Sequence, residues 1–148
     1  MSKTVVVTGA NAGIGFQAAL NLSRMGWHVV MACRSMDKAQ RAQGEILVEV
    51  PQASTAIIAL DVSEPQSIRE FGRRFSQQTG ELDLLINNAG IVGTPLARNS
   101  VGHEMQLATN YLGAFALTGT LLPFFSRTSR ARIVNVGSLM HRFGKLDL

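Results

Sequence analysis

The chain has 148 residues, 46% of them hydrophobic, with one cysteine and a formal net charge of +4. That length and composition suit one folded domain with a sizeable core and argue against a disordered chain. The lone Cys33 excludes an internal disulfide framework, no apolar run reaches the ~20 residues of a membrane span, and no leader-like segment opens the chain, so the expected protein is soluble and cytoplasmic, with no membrane contact.

The predicted elements alternate along the chain. Lys3–Thr8 is a β-branched run followed by a glycine turn and a helical pattern from Ile14 to Met25. Trp27–Cys33 is a second strand. Asp37–Val50 reads as a helix stopped by Pro51. Thr55–Leu60 is a third strand. Ser63 and Gln66 form a capping box for a helix that carries Ile68, Phe71 and Phe75 and runs out near Gly80. Leu82–Ile86 is a fourth strand, residues 101–125 form one long helix, and Arg132–Val136 is a fifth strand. Strands that alternate with helices and are apolar throughout predict an α/β fold: a Rossmann-type, doubly wound parallel sheet, buried on both faces.

The segment Thr8-Gly9-Ala10-Asn11-Ala12-Gly13-Ile14-Gly15 follows the first strand and opens the first helix. In a parallel sheet such turns lie at the carboxyl ends of the strands, where ligands bind. Glycines there permit positive φ and let a phosphate approach backbone N–H groups at the positive end of a helix. Gly9, Gly13 and Gly15 fit those jobs, and the context makes the turn a phosphate cradle. An acid at the end of the second strand would hold a ribose 2′-hydroxyl; this chain has Cys33-Arg34 instead, and a guanidinium suits a 2′-phosphate. NADP is therefore the expected cofactor, ahead of NAD. Cys33 reads as a small strand-end residue, although a nearby Arg34 would lower its pKa. The basic residues are scattered, which fits a solvated face plus a phosphate site and gives no nucleic-acid partner. His28, His103 and His141 are far apart and make no metal cluster.

The spacing Thr-Gly-x-x-x-Gly-x-Gly resembles the cofactor motif of the short-chain dehydrogenases/reductases, in which Asn11 and Ile14 would join the glycines. Asp61-Val62 at the end of the third strand, Asn87-Asn88-Ala89-Gly90 after the fourth, Asn110 in Asn-Tyr-Leu-Gly and Ser138 after the fifth are similar to that family's other motifs, in the same order. The resemblance implies that Asp61 lies beside the adenine. It implies that Asn88, Ala89 and Gly90 line the cofactor, that Asn110 holds a water in a proton relay, and that Ser138 hydrogen-bonds the reacting oxygen of an alcohol or carbonyl substrate. The family's acid/base Tyr-x-x-x-Lys follows the serine by about a dozen residues. The sequence here stops ten residues past Ser138, so residues 1–148 read as an NAD(P)-binding domain truncated before that segment, with the later strands of the sheet missing. Tyr111 is four positions before Phe115 and reads as a helix-face tyrosine.

Ala-Cys-Arg-Ser-Met-Asp-Lys-Ala and the stretch from His141 to Leu148 look like the branch with retinol-dehydrogenase-like and WW-domain-oxidoreductase-like members. That implies a lipophilic substrate such as a retinoid or steroid. Met140 and His141 are candidates for the substrate mouth. Met105, Leu112, Phe115 and Leu122 read as core or a helix–helix interface, and the resemblance makes a homo-oligomer through the long helix plausible. The alternative to an enzyme is a non-catalytic NADP-binding module or sensor. The fifth strand is expected to be an exposed edge, prone to association.

Overall fold

The computed structural model describes residues 3–125 and 131–142. Strands and helices alternate: β1 (Thr4–Thr8), α1 (Gly13–Arg24), β2 (His28–Cys33), α2 (Met36–Glu49), β3 (Thr55–Ala59), α3 (Pro65–Gln78) and β4 (Leu84–Asn87). A helical stretch then runs through α4 (Met105–Leu107), a π turn (Ala108–Gly113), α5 (Ala114–Leu121) and a 3-10 turn (Leu122–Phe124), before β5 (Arg132–Asn135). The five strands are parallel in the order β3-β2-β1-β4-β5. The chain builds outward from β1 to β3, then starts again at β4 on the other side of β1. That reversal places a crevice at the carboxyl ends of β1 and β4.

The two-residue period of the strands divides their side chains between two cores. Val5, Val7, Val29, Met31 and Cys33 face α1 and α2, where they meet Ala19, Leu20, Ala39 and Ile46. Val6, Val30, Ala32, Ile58 and Leu85 face Phe71 and Phe75 of α3 and Leu117 and Leu121 of α5. Both faces being covered explains why Val5, Val6 and Val7 are all fully buried. Phe71 and Phe75 are also fully buried, each contributing about 1.5–3 kcal/mol by burial. Asn87 ties the sheet to α5: its amide nitrogen donates to Asn135 Oδ1 (2.8 Å) and Thr118 Oγ1 (3.1 Å). β5 lies at the sheet edge, with Ile133, Val134 and Val136 exposed.

Three local expectations need correction. Ser63 does not cap α3; the cap position is Glu64, followed by Pro65. The Ser63 hydroxyl donates to Asp61 Oδ1 at 2.6 Å and the Ser63 N–H reaches the same oxygen at 3.0 Å, so Ser63 closes a turn one residue ahead of the cap. Leu82 is outside β4 and makes an isolated bridge to Phe125. The long helix starts at Met105, not 101. Asn99 Oδ1 accepts from the Val101 and His103 N–H groups, holding that segment as a turn, and Glu104 caps the helix through the Gln106 and Leu107 N–H groups.

The π turn inside this helix shifts the phase of everything after it. Leu117 and Leu121 enter the core, whereas Phe115 is 74% and Leu122 60% exposed, and Met105 and Leu112 are only partly buried. Of the two readings of these four, core or helix–helix interface, the core is excluded for Phe115 and Leu122. Leu107, Tyr111 and Phe115, at four-residue spacing, form an exposed apolar stripe.

Candidate functional site

At the reversal point the turn leaving β1 and the segment leaving β4 are fastened together. Buried Thr8 Oγ1 accepts from the Asn88 and Ala89 N–H groups, both at 2.9 Å. Asn88 Nδ2 returns a bond to the Thr8 carbonyl at 2.9 Å. Gly9 and Gly13 have φ of 67° and 54°, a region that favours glycine. A Cβ on Gly9 would come within 3.2 Å of Ala89 Cα, and one on Gly15 would run into the Gly9 carbonyl and the Asn88 amide. These two glycines serve the contact between the turns. Gly13 differs: no described atom lies within 4 Å of where its Cβ would be.

The turn delivers the first helical N–H groups of α1 without a capping side chain. Ala12 occupies the cap position and the first turn carries no acid. By contrast, Ser35 caps α2, with Asp37 in its first turn. The positive end of α1 is thus left for an anion from outside the chain.

A cleft of about 330 Å³ opens beside this turn. Gly9, Asn11, Asn88, Ala89 and Gly90 line it on the β1–β4 side, and Arg34, Asp61 and Val62 come from the ends of β2 and β3. Arg34 Nη1 lies 3.8 Å from Asp61 Oδ2. Cys33 is buried just before Arg34, and burial pushes its thiol up to about 11, with the Ala10 and Asn11 N–H groups pulling part of the way back. Cys33 is thus the small, buried strand-end residue that the sequence suggests, and desolvation is the largest influence on its thiol.

The structure brings eight of the predicted cofactor residues into one cleft: Gly9, Asn11, Arg34, Asp61, Val62, Asn88, Ala89 and Gly90. Gly13, Ile14 and Gly15 form the first turn of α1 beside it and do not line it, and Ile14 is 71% exposed. Asn110 sits in the π turn with both amide atoms engaged: Oδ1 accepts from the Ile91 N–H and Nδ2 donates to the Ile91 carbonyl, each at 2.8 Å. Its side chain fixes the segment after Gly90. Ser138 is exposed, three residues beyond Asn135, which pairs with Asn87. The parallel register therefore sets Ser138 at the same sheet end as Asn88.

Sequence reasoning assigned no site role to Ala12, Ala32, Leu60, Ile91 and Thr109, which also line the cleft. Ile91 and Thr109 directly adjoin Gly90 and Asn110, so adjacency to the motifs was the available signal. Tyr111 is exposed on its helix. His28 Nδ1 is 2.7 Å from Ser54 Oγ, and among the described residues no group of three metal-binding side chains converges. The side chains of Met140 and His141, and residues 143–148, lie outside the described residues.

An uncapped helix start, a glycine turn and a cleft running to the ends of β2 and β3 at a strand-order reversal define a dinucleotide-binding α/β domain. The chain matches the short chain dehydrogenase family over residues 3–145, and it belongs to that family of NAD(P)-dependent oxidoreductases. It is 41% identical over 145 residues to retinol dehydrogenase 13 of Mus musculus, covering 98% of this chain and 43% of that protein. Retinol dehydrogenase 12 of Bos taurus is 40% identical over 144 residues, covering 97% of this chain and 46% of its own length. The chain thus spans less than half the length of these relatives. Among solved structures, menthone neomenthol reductase from Mentha piperita superposes with a TM-score of 0.80 at 25% identity, covering 95% of this chain and 62% of that one. A short chain dehydrogenase from Shigella flexneri, complexed with NADP, gives 0.82 at 26% identity, covering 97% and 62%.

Proposed function

We propose that this chain carries the cofactor half of an NADP(H)-dependent oxidoreductase acting on a lipophilic alcohol or carbonyl of the retinoid class. The observation that carries the cofactor choice is Arg34, an exposed guanidinium lining the cleft where β2 ends, with no acid in the segment Cys33-Arg34-Ser35 itself. The solved relative complexed with NADP supports the same ligand class, and the retinol dehydrogenases support the substrate class.

The bound nicotinamide cofactor would supply or accept the hydride. The residues of this chain do the rest of what is proposed. The first turn of α1 offers N–H groups to the pyrophosphate, and Arg34 offers paired donors to a 2′-phosphate. Asn88 and Ala89, fixed by Thr8, form with Gly90 a wall against which the cofactor would be oriented. Ser138 would donate to the substrate oxygen as charge builds on it. Asn110 holds Ile91, and through it the segment after β4, in place.

The test is equilibrium titration of the chain with NADPH and NADH by nicotinamide fluorescence. NADPH is expected to bind at least about tenfold more tightly, which corresponds to ~1.4 kcal/mol. Equal affinity, or tighter NADH, would remove the NADP assignment.

The stripe Leu107, Tyr111 and Phe115 supports self-association through this helix. Phe115→Asp should shift the sedimentation coefficient toward the monomer. A wild-type protein that is monomeric at every concentration would exclude this.

A further inference from the structure

We propose that Asp61 sets how strongly the site discriminates between NADP(H) and NAD(H), by holding Arg34 away from a 2′-phosphate. The proposal rests on the reading of Arg34 as the 2′-phosphate ligand. It starts from the unequal way in which the two partners of the ion pair are held.

Asp61 is the fixed partner. Its Oδ1 accepts from the Ser63 N–H at 3.0 Å and from the Ser63 hydroxyl at 2.6 Å. Ser63 is itself buried, and its carbonyl accepts from Asn99 Nδ2 at 2.7 Å, so the clamp is anchored to the turn before α4. Asp61 Oδ2 then faces Arg34 Nη1 at 3.8 Å, with 28% of the Asp61 side chain exposed against 75% for Arg34. Arg34 is the partner with room to turn.

A 2′-phosphate needs the guanidinium in the plane of its oxygens, with two parallel N–H bonds. Turning Arg34 to that geometry loosens its attraction to Asp61. It also leaves the carboxylate close to a second anion, which repels. Neither penalty applies to NAD(H), which brings no phosphate to this point and leaves the Arg34–Asp61 pair intact. Any contact that Asp61 makes with the adenine is shared by both cofactors and cancels in the ratio of their affinities. Asp61 therefore narrows a preference that Arg34 creates, and it is a specificity-determining residue acting through Arg34.

The experiment is a double-mutant cycle read as the ratio Kd(NADH)/Kd(NADPH), in the wild-type chain, Asp61→Asn, Arg34→Gln and the double variant. Asp61→Asn keeps an oxygen for the Ser63 donors and removes the charge. The ratio is expected to rise about threefold on Asp61→Asn when Arg34 is present, the size of an exposed ion pair, and to rise by less in the Arg34→Gln background, where only the direct repulsion of the phosphate is relieved. A ratio that is unchanged or lower in Asp61→Asn overturns the proposal. An equal rise in both backgrounds also overturns it, because the carboxylate then acts on the phosphate directly and not through Arg34. Arg34→Gln leaving the ratio unchanged by itself overturns the 2′-phosphate reading, and this proposal with it. If Asp61→Asn does not fold by circular dichroism, Asp61→Ser replaces it, since a hydroxyl still accepts from the Ser63 N–H.

Discussion

Gly13→Val should abolish binding of NADPH and NADH together, weakening each by on the order of a hundredfold or more. Two effects combine at this position. The backbone φ is 54°, where a β-branched residue is strained by about 1–2 kcal/mol. In addition, the Cβ would project where no described atom lies within 4 Å, beside the uncapped first turn of α1, and the valine methyls would crowd the N–H groups that the proposed site offers to the pyrophosphate. Gly15 makes the contrast. It is buried, and a side chain there strikes the Gly9 carbonyl and the Asn88 amide, so its replacement would disturb the fold as well as the site. Gly13 separates the two properties. The variant should lose cofactor fluorescence enhancement while its thermal midpoint falls by only about 2–4 °C per kcal/mol of strain. Unchanged affinity for both cofactors would take this turn out of the site.

What the sequence made legible is what local chemistry alone determines. The triplet Val5-Val6-Val7 announced a strand buried on both faces, and each valine does enter a core. The glycine spacing announced a turn with positive φ at Gly9 and Gly13, and the alternation of strands and helices announced the parallel sheet. The features that were not legible depend on which partners and boundaries the folded geometry supplies. The helix cap falls on Glu64, one residue past Ser63, and Ser63 is held by the Asp61 carboxylate in the turn before it. Asn110 is held by Ile91, nineteen residues earlier, which no spacing rule reports. The π turn around Asn110 displaces the apolar phase of the helix, so the sequence left core and helix–helix interface open for Phe115 and Leu122, and the fold exposes both. For the same reason Ile91 and Thr109 escaped notice as cleft walls: their place in the cleft comes from the fold, not from their own type.

Arg34→Asp should reverse the cofactor preference by changing one affinity far more than the other. Arg34 stands at the end of β2 with three-quarters of its side chain exposed, so little of the fold depends on it. Its loss removes a charge-assisted, paired hydrogen bond to a 2′-phosphate, worth about 1.5–3 kcal/mol. The substitution also sets a second carboxylate beside Asp61, and the two together repel a phosphate dianion. The ratio Kd(NADH)/Kd(NADPH) should therefore fall by about 2–3 kcal/mol, on the order of 30- to 150-fold. NADH should lose little, because its ribose hydroxyls gain an acceptor at the place where the phosphate would have been. Raising salt should shrink the wild-type preference and leave the variant's affinity for NADH nearly unchanged, since only the first depends on an exposed charge pair. Equal weakening of both cofactors would mean that Arg34 shapes the adenosine end of the cleft as a whole. The absence of an acid at the end of β2 would then say nothing about the 2′-position.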